Sequence, residues 1–450
     1  NTIENIDIDK FEKTFNKIYE KNHSKFINLY QTKCPKCNKK IHFQNSIWKK
    51  EELILLRSEC NTCGKVISKS SIFDKQSIDK SARILKKEKK NGNIIYPQDK
   101  ILDYVKRSNK THIDQLFTPR ALLILSSIRK DIENIKDQKI KNLMLLSFSS
   151  MLPNVSKMIP GDEKTVNGKS GWVVSKLWAP EIHTEKNIFI SFKTRFKKIK
   201  KAKIKTNKLI KINNSKIINK SSEAMRAIKS NSIDYIFTDP PYGESIAYFG
   251  LSMFFNSWIK NKVNYKDEII YDPYRNKKYD DYESRLRKVF SELYRVLKKK
   301  AYLSFSFHNR NLKIWKIVID SVKGAGFELR NIVYQDQAVL SGTQGLNKKN
   351  TLKGDFIYNF QKIEKKKKSK VKKIINSEKF IINKVEKLIM KNEGYLTSDK
   401  LYEILIPEIV KKNLYKDYEG KVINIENILL KNFKYKKIKS TKNIYGWKKK

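Results

Sequence analysis

Ile233–Thr238 is a short run rich in β-branched, aromatic and aliphatic residues, and it leads straight into Asp239-Pro240-Pro241-Tyr242. A run of this kind reads as a buried strand. Two consecutive prolines end it abruptly, because neither can donate to a ladder and each restricts the residue before it. The Asp239 carboxylate is thereby delivered to the carboxyl end of a strand, where open α/β sheets bind their ligands. Tyr242 follows, a flat ring beside an acid.

Strands and helices alternate around this point. The pattern predicts a strand over 209–218 ending at Ser221 and Ser222, a helix over 223–230, then the motif strand and an aromatic helix over 245–262. Tyr282, Leu286, Phe290 and Leu293 have helical spacing, closed by Lys298, Lys299 and Lys300. A strand over 301–307 carries His308 and Asn309 at its end. A helix holding Trp315 and Val318 stops near Gly324–Gly326, and strands follow over 327–333 and 355–360. Such alternation argues for an α/β fold with a Rossmann-like, doubly wound sheet over 209–362.

The four cysteines fall in one pattern, Cys34-x2-Cys37 and Cys60-x2-Cys63, each pair on a tight knuckle with hairpin-like sequence between. Thiolates at this spacing suit a closed, tetrahedral structural Zn2+ site, a zinc ribbon within residues 1–70. Residues 71–208 read as a helical and aromatic insertion with possible DNA contact. In it Thr118 caps a helix that begins at Pro119, 197–208 is a basic linker, and Arg120, Trp172 and Trp178 read as core before nucleic-acid contact. A lysine-rich linker over 363–374 leads to 375–450, where three helices and a strand-like end give a winged-helix-like α+β pattern.

Lys+Arg number 97 against 46 Asp+Glu, a formal net charge of +51. Such a field draws polyanions, and phosphate contacts dominate nucleic-acid affinity, so DNA is the expected partner. The excess is mostly lysine in a chain rich in Asn and Ile, as an A/T-rich coding sequence yields. It therefore speaks for attraction and not for sequence specificity. No apolar run reaches the roughly 18 residues of a membrane span, and no signal peptide is visible, so a cytoplasmic protein without membrane contact is expected.

The motif has a specific chemical use. An exocyclic base amine is a poor nucleophile, because its lone pair is delocalised into the ring. Two acceptors on its N–H bonds turn that lone pair outward. The Asp239 carboxylate is one, and the Pro240 carbonyl is the candidate second; Pro241 completes the motif as the second strand-stopping proline, and Tyr242 offers a stacking face to a flipped base. With these residues the chain resembles the amino-methyltransferases of DNA, whose hallmark is (Asp/Asn/Ser)-Pro-Pro-(Tyr/Phe). The four-cysteine ribbon, Phe117-Thr-Pro-Arg120, Thr238–Gly243 with Leu251-Ser252, and Phe307-His308-Asn309 look like the adenine-specific DNA methylases that contain a zinc ribbon. The resemblance implies S-adenosylmethionine as cofactor, DNA as substrate and adenine N6 as the favoured target. His308 and Asn309, at the end of the strand next to the motif, are base-pocket candidates by position, His308 having the alternative of a loop histidine that caps backbone groups. The resemblance also implies a glycine-rich cofactor loop, which the sequence does not contain after any strand. Ser221 and Ser222 are the remaining cofactor candidates. The chain starts without Met, so the cradle is expected from a segment before Asn1 or from a separate chain. The alternatives are an RNA base methyltransferase and a non-catalytic zinc-ribbon and winged-helix DNA-binding protein.

Overall fold

The computed structural model describes the chain outside residues 1–4, 169–171, 173–175, 210–214, 244, 245, 310, 336–353, 365–375, 418 and 440–443. It divides into two compact units, one of Asn1–Ile217 with Ala247–Asp267 and one of Ile218–Ile246 with Glu268–Lys450. Among the described residues no helix is long and apolar enough to cross a membrane.

The first unit opens with α1 (Ile8–Phe26), capped by Asp7, whose carboxylate accepts from the Lys10 amide at 2.9 Å. Strands β1 (Gln31–Lys33), β2 (Lys40–Lys49), β3 (Glu52–Cys60) and β4 (Gly64–Lys69) form an antiparallel ribbon in sequence order. Helices α2 (Ile72–Lys90), α3 (Pro119–Glu133) and α4 (Gln138–Met151) follow, then the short pair β5 (Gly161–Asp162) and β6 (Asn167–Gly168). β7 (Ile182–Lys186) joins the ribbon beside β2. The Thr118 hydroxyl accepts from the Ala121 amide at 3.1 Å, so α3 begins where Thr118 and Pro119 predict.

The expected linker over 197–208 is instead the second half of α5 (Ile188–Leu209). Phe189, Phe192 and Phe196 recur at helical spacing and are buried, with Phe196 stacked on Phe15 of α1 at 3.8 Å. Lysine is a good helix former, so once that apolar face is anchored the run continues the helix. Leu209 therefore ends a helix. Of the strand expected over 209–218, residues 210–214 lie outside the described residues, and 215–218 form no strand. The aromatic helix after the motif, α6 (Tyr248–Ile259), packs in this unit: Met253, Phe254 and Trp258 are buried in the same core as Phe117 and Phe148.

The second unit holds β8 (Ile233–Thr238), α7 (Tyr279–Val296), β9 (Leu297–Phe307), α8 (Leu312–Ala325), β10 (Phe327–Gln335) and β11 (Asp355–Lys362). The sheet order is β10-β11-β9-β8, with β8 parallel to β9 and β11 antiparallel to both its neighbours. Leu303, Phe305, Phe307, Phe356, Tyr358 and Phe360 point to one face, which Phe290 of α7 and Trp315 of α8 cover. The doubly wound expectation is met on that face only. Tyr235 and Phe237 of β8 are 55% and 59% exposed, and Tyr302 and Val333 are exposed as well. Among the described residues β8 is thus an edge strand with an exposed aromatic side, where the sequence predicts a buried one.

Two local expectations fail for visible reasons. Lys298–Lys300 open β9 and do not close a helix. Residues 223–230 form turns, because α7 captures their backbone: Glu292 accepts from the Met225 amide at 2.7 Å, and Arg295 donates to the Met225 and Ile228 carbonyls at 3.0 Å each. Those groups have no need of a helical ladder. The tail comprises α9 (Ser377–Lys391), α10 (Ser398–Lys412), α11 (Ile425–Asn432) and the hairpin β12 (Phe433–Lys439) and β13 (Ile444–Lys449), and its core residues join that of the sheet.

Arg120 is core. It donates from Nε and Nη2 to both oxygens of Glu185, at 3.0 and 2.7 Å, and from Nη1 to the Leu29 carbonyl at 2.9 Å, with both side chains 1% exposed. Tyr30 and Phe43 face the guanidinium. Removing one partner of such a pair strands a buried charge, so Arg120→Leu should destabilise the first unit by about 3–5 kcal/mol. The check is the midpoint of its urea unfolding transition, followed by tryptophan fluorescence.

Candidate functional site

β8 pairs with β9 so that Thr238 lies opposite Phe305. The next residue of each strand therefore brings Asp239 beside Ser306, whose hydroxyl donates to Asp239 Oδ1 at 2.9 Å. Asp239 is exposed, while Pro240 behind it is buried. A carboxylate offers about four lone-pair sites, so an exposed Asp239 that accepts from Ser306 keeps acceptor capacity for a ligand.

The loop after Asp239 is held at three successive residues. The Tyr282 hydroxyl on α7 donates to the Pro241 carbonyl at 2.6 Å. Asn309 Nδ2 donates to the Tyr242 carbonyl at 2.6 Å, and Asn309 is itself fixed by the Trp315 indole, which donates to its carbonyl at 2.8 Å. Gly243 has φ +73° and lies so close to Ile314 that an added Cβ would meet its Cδ1 at 2.9 Å. A glycine is needed there for both conformation and space.

Tyr242 is half-buried, its ring edge-on to Phe307 with centroids 5.3 Å apart. Its hydroxyl lies 3.5 Å from Ser306 Oγ. Burial pushes its phenol well above the usual range, helped by the nearby Asp239 charge, so the ring stays neutral. Asp239, Ser306 and Tyr242 thus form a polar edge at the carboxyl end of β8.

The other candidates separate. Asn309 reaches the motif, as a support of its loop. His308 turns to the start of β11: its Nδ1 lies 2.9 Å from the Gly354 carbonyl and 3.4 Å from Asp355. Ser221 and Ser222 are exposed, and Ser221 engages Glu223, which is paired with Arg285 at 2.6 Å. Ser306 and Tyr282 are not singled out by sequence. The one signal for Ser306 is the alternation Ser304-Phe305-Ser306-Phe307, which puts the serines on a common face.

In the first unit the thiols of Cys34, Cys37, Cys60 and Cys63 lie within 4.8 Å of one another, with Cys37 and Cys60 3.6 Å apart. Zn–S bonds of about 2.3 Å in a tetrahedron give edges of roughly 3.8 Å, so the cluster is of a size to hold one such ion. Both knuckles use left-handed backbone, at Asn38 (φ 54°) and Gly64 (φ 70°). The Cys63 and Thr62 amides lower the Cys60 thiol to about 6, and its hydrogen bond with Cys37 pushes Cys63 up to about 12. The cluster already favours a thiolate, the form that binds metal.

Residues 233–449 match the model of a DNA methylase family, and the match begins at the first residue of β8. No curated protein matches the sequence. Among solved structures the chain is similar to a SAM-dependent methyltransferase from Methanosarcina mazei, at 11% identity and TM-score 0.19, covering 32% of this chain and 66% of that one. It is also similar to a "putative DNA modification methylase" from Thermus thermophilus, at 12% identity and TM-score 0.19, over 38% and 71%. The S-adenosyl-L-methionine complex of that protein gives 12% and 0.18, over 36% and 56%. The chain spans just under two thirds of the first of these structures and just over half of the last.

The clamp on the motif loop has a measurable contribution. Tyr282→Phe deletes the hydroxyl that satisfies the Pro241 carbonyl and should lower the stability of the second unit by about 1 kcal/mol. Faster amide exchange confined to residues around Tyr242, measured by mass spectrometry, should accompany it.

Proposed function

We propose that this chain carries the substrate side of an S-adenosylmethionine-dependent DNA methyltransferase acting on an exocyclic base amine, with adenine N6 the favoured target. One observation carries the reading: an exposed carboxylate, Asp239, is anchored by Ser306 at the end of β8, within the segment that matches the DNA methylase family. Asp239 and the Pro240 carbonyl accept the two N–H bonds of a flipped-out base, which turns the amine lone pair outward. Tyr242 contributes a stacking surface worth about 1–3 kcal/mol. The neutral phenol suits that task, since it adds no charge beside the carboxylate.

S-adenosylmethionine, when bound, supplies an electrophilic methyl group. Among the described residues no glycine-rich turn follows a strand to cradle it, and Ser221 and Ser222 are exposed. The edge position of β8 among the described residues supports a cofactor half that adds there, from a separate chain or an upstream segment. His308 and Asn309 belong to the wall of the site, Asn309 by holding Tyr242. The cysteines bind structural Zn2+, and the winged-helix-like tail with its lysines contacts DNA.

In the complete enzyme Asp239→Ala should cut tritiated methyl transfer to DNA by about 10^2–10^4-fold and leave DNA binding within twofold. Unchanged transfer, or transfer to RNA in preference to DNA, would sink the reading. The thiol cluster makes a separate expectation: the purified protein contains one zinc per chain. Removing it with a chelator, or replacing Cys60 with Ser, lowers the thermal midpoint of the first unit and leaves that of the second, as judged by calorimetry.

A further inference from the structure

Helix α5 carries Lys or Arg at nine positions and neither Asp nor Glu. The whole chain has roughly one acid for every two bases, so a 22-residue helix without any is a local departure. Lys193, Lys197, Lys201 and Lys205 recur every fourth residue and are exposed. At 1.5 Å of rise per residue they form one stripe about 18 Å long. An ordinary solvated helix face interleaves opposite charges at that spacing; here each neighbour repels the next.

The stripe borders a groove between α1 and α5 with a volume of about 390 Å³. Its floor is apolar, made by the stacked rings of Phe15 and Phe196, and Glu12 of α1 pairs with Lys200 at 2.6 Å. The positive field reaches beyond the helix. Lys186 is held below its usual pKa by burial and then by Arg195, and His23 is lowered by burial and then by Lys193.

We propose that the stripe and groove of α1 and α5 are a track for the phosphate backbone of double-stranded DNA, separate from the base-holding residues of β8. Charge complementarity selects the occupant. A duplex presents one negative charge per about 1.7 Å of axis, which relieves the repulsion along α5 and releases counterions on binding. The inference rests on the reading of DNA as substrate, and its test separates the two.

The experiment is duplex binding by the full chain as a function of salt. The variant Lys193→Gln/Lys197→Gln/Lys201→Gln is compared with Lys86→Gln/Lys87→Gln/Lys90→Gln, an equal loss of charge on α2. All six side chains are exposed, so folding should be unaffected, with circular dichroism as the check. The α5 variant should lower the slope of log K against log salt by about 2–3, close to 0.9 for each phosphate no longer neutralised, and weaken binding at least tenfold. The α2 variant should change the slope by much less. Equal losses in the two variants, or an unchanged slope in the α5 variant, overturn the track and leave the role of Asp239 standing. Wild-type protein that binds no duplex, or binds RNA of equal length more tightly with the same loss in the α5 variant, overturns the DNA assignment itself.

Discussion

The parallel pairing of β8 with β9 is the constraint on which the rest of the site depends. Once Thr238 lies opposite Phe305, Asp239 must emerge beside Ser306, and the loop that follows must pass Tyr282 and Asn309. A one-residue slip would exchange the faces of β8 and point Asp239 away from its serine. β9 is held by Leu303, Phe305 and Phe307, which are fully buried against α7 and α8, and β8 packs Ile236 on the same core. Packing on one side of the sheet thus positions the chemistry at its end.

The prolines and the hydrogen bonds divide the work at that end. Pro240 and Pro241 terminate the ladder, while Tyr282 and Asn309 supply donors for the carbonyls of Pro241 and Tyr242. The loop is therefore rigid without being regular. Preorganisation of this kind suits a group whose task is to hold an amine in one orientation, since little reordering is left for the moment of binding.

What the sequence revealed and what it hid follow from the range of the forces involved. The strand at 233–238, the helix cap at Thr118-Pro119 and the cysteine knuckles are local, set by neighbours within a few residues. The helices of the tail were equally legible. Residues 223–230 were not, because their backbone is claimed by Glu292 and Arg295, some seventy positions away. Residues 197–208 misled because lysines read as solvent-loving linker, while Phe189, Phe192 and Phe196 upstream had already fixed a helix. His308 turned aside because β11 arrives antiparallel to β9 and presents Gly354 and Asp355 to it. Ser306 has only the serine–phenylalanine alternation of its strand to mark it, because its role comes from register.

The placement of α6 has a consequence for how this protein can be divided. Met253, Phe254 and Trp258 complete the core of the first unit, yet the motif strand of the second unit lies between them and the rest of it in sequence. No single uninterrupted stretch of chain therefore contains the first unit whole without also carrying the motif strand of the second. A fragment cut after residue 217 would expose the sites on Phe117 and Phe148 that Trp258 fills, and Arg129 would lose the Trp258 carbonyl to which it donates at 2.9 Å. The two units are joined by interleaving of their sequences, so neither can be gained, lost or exchanged as a simple cassette.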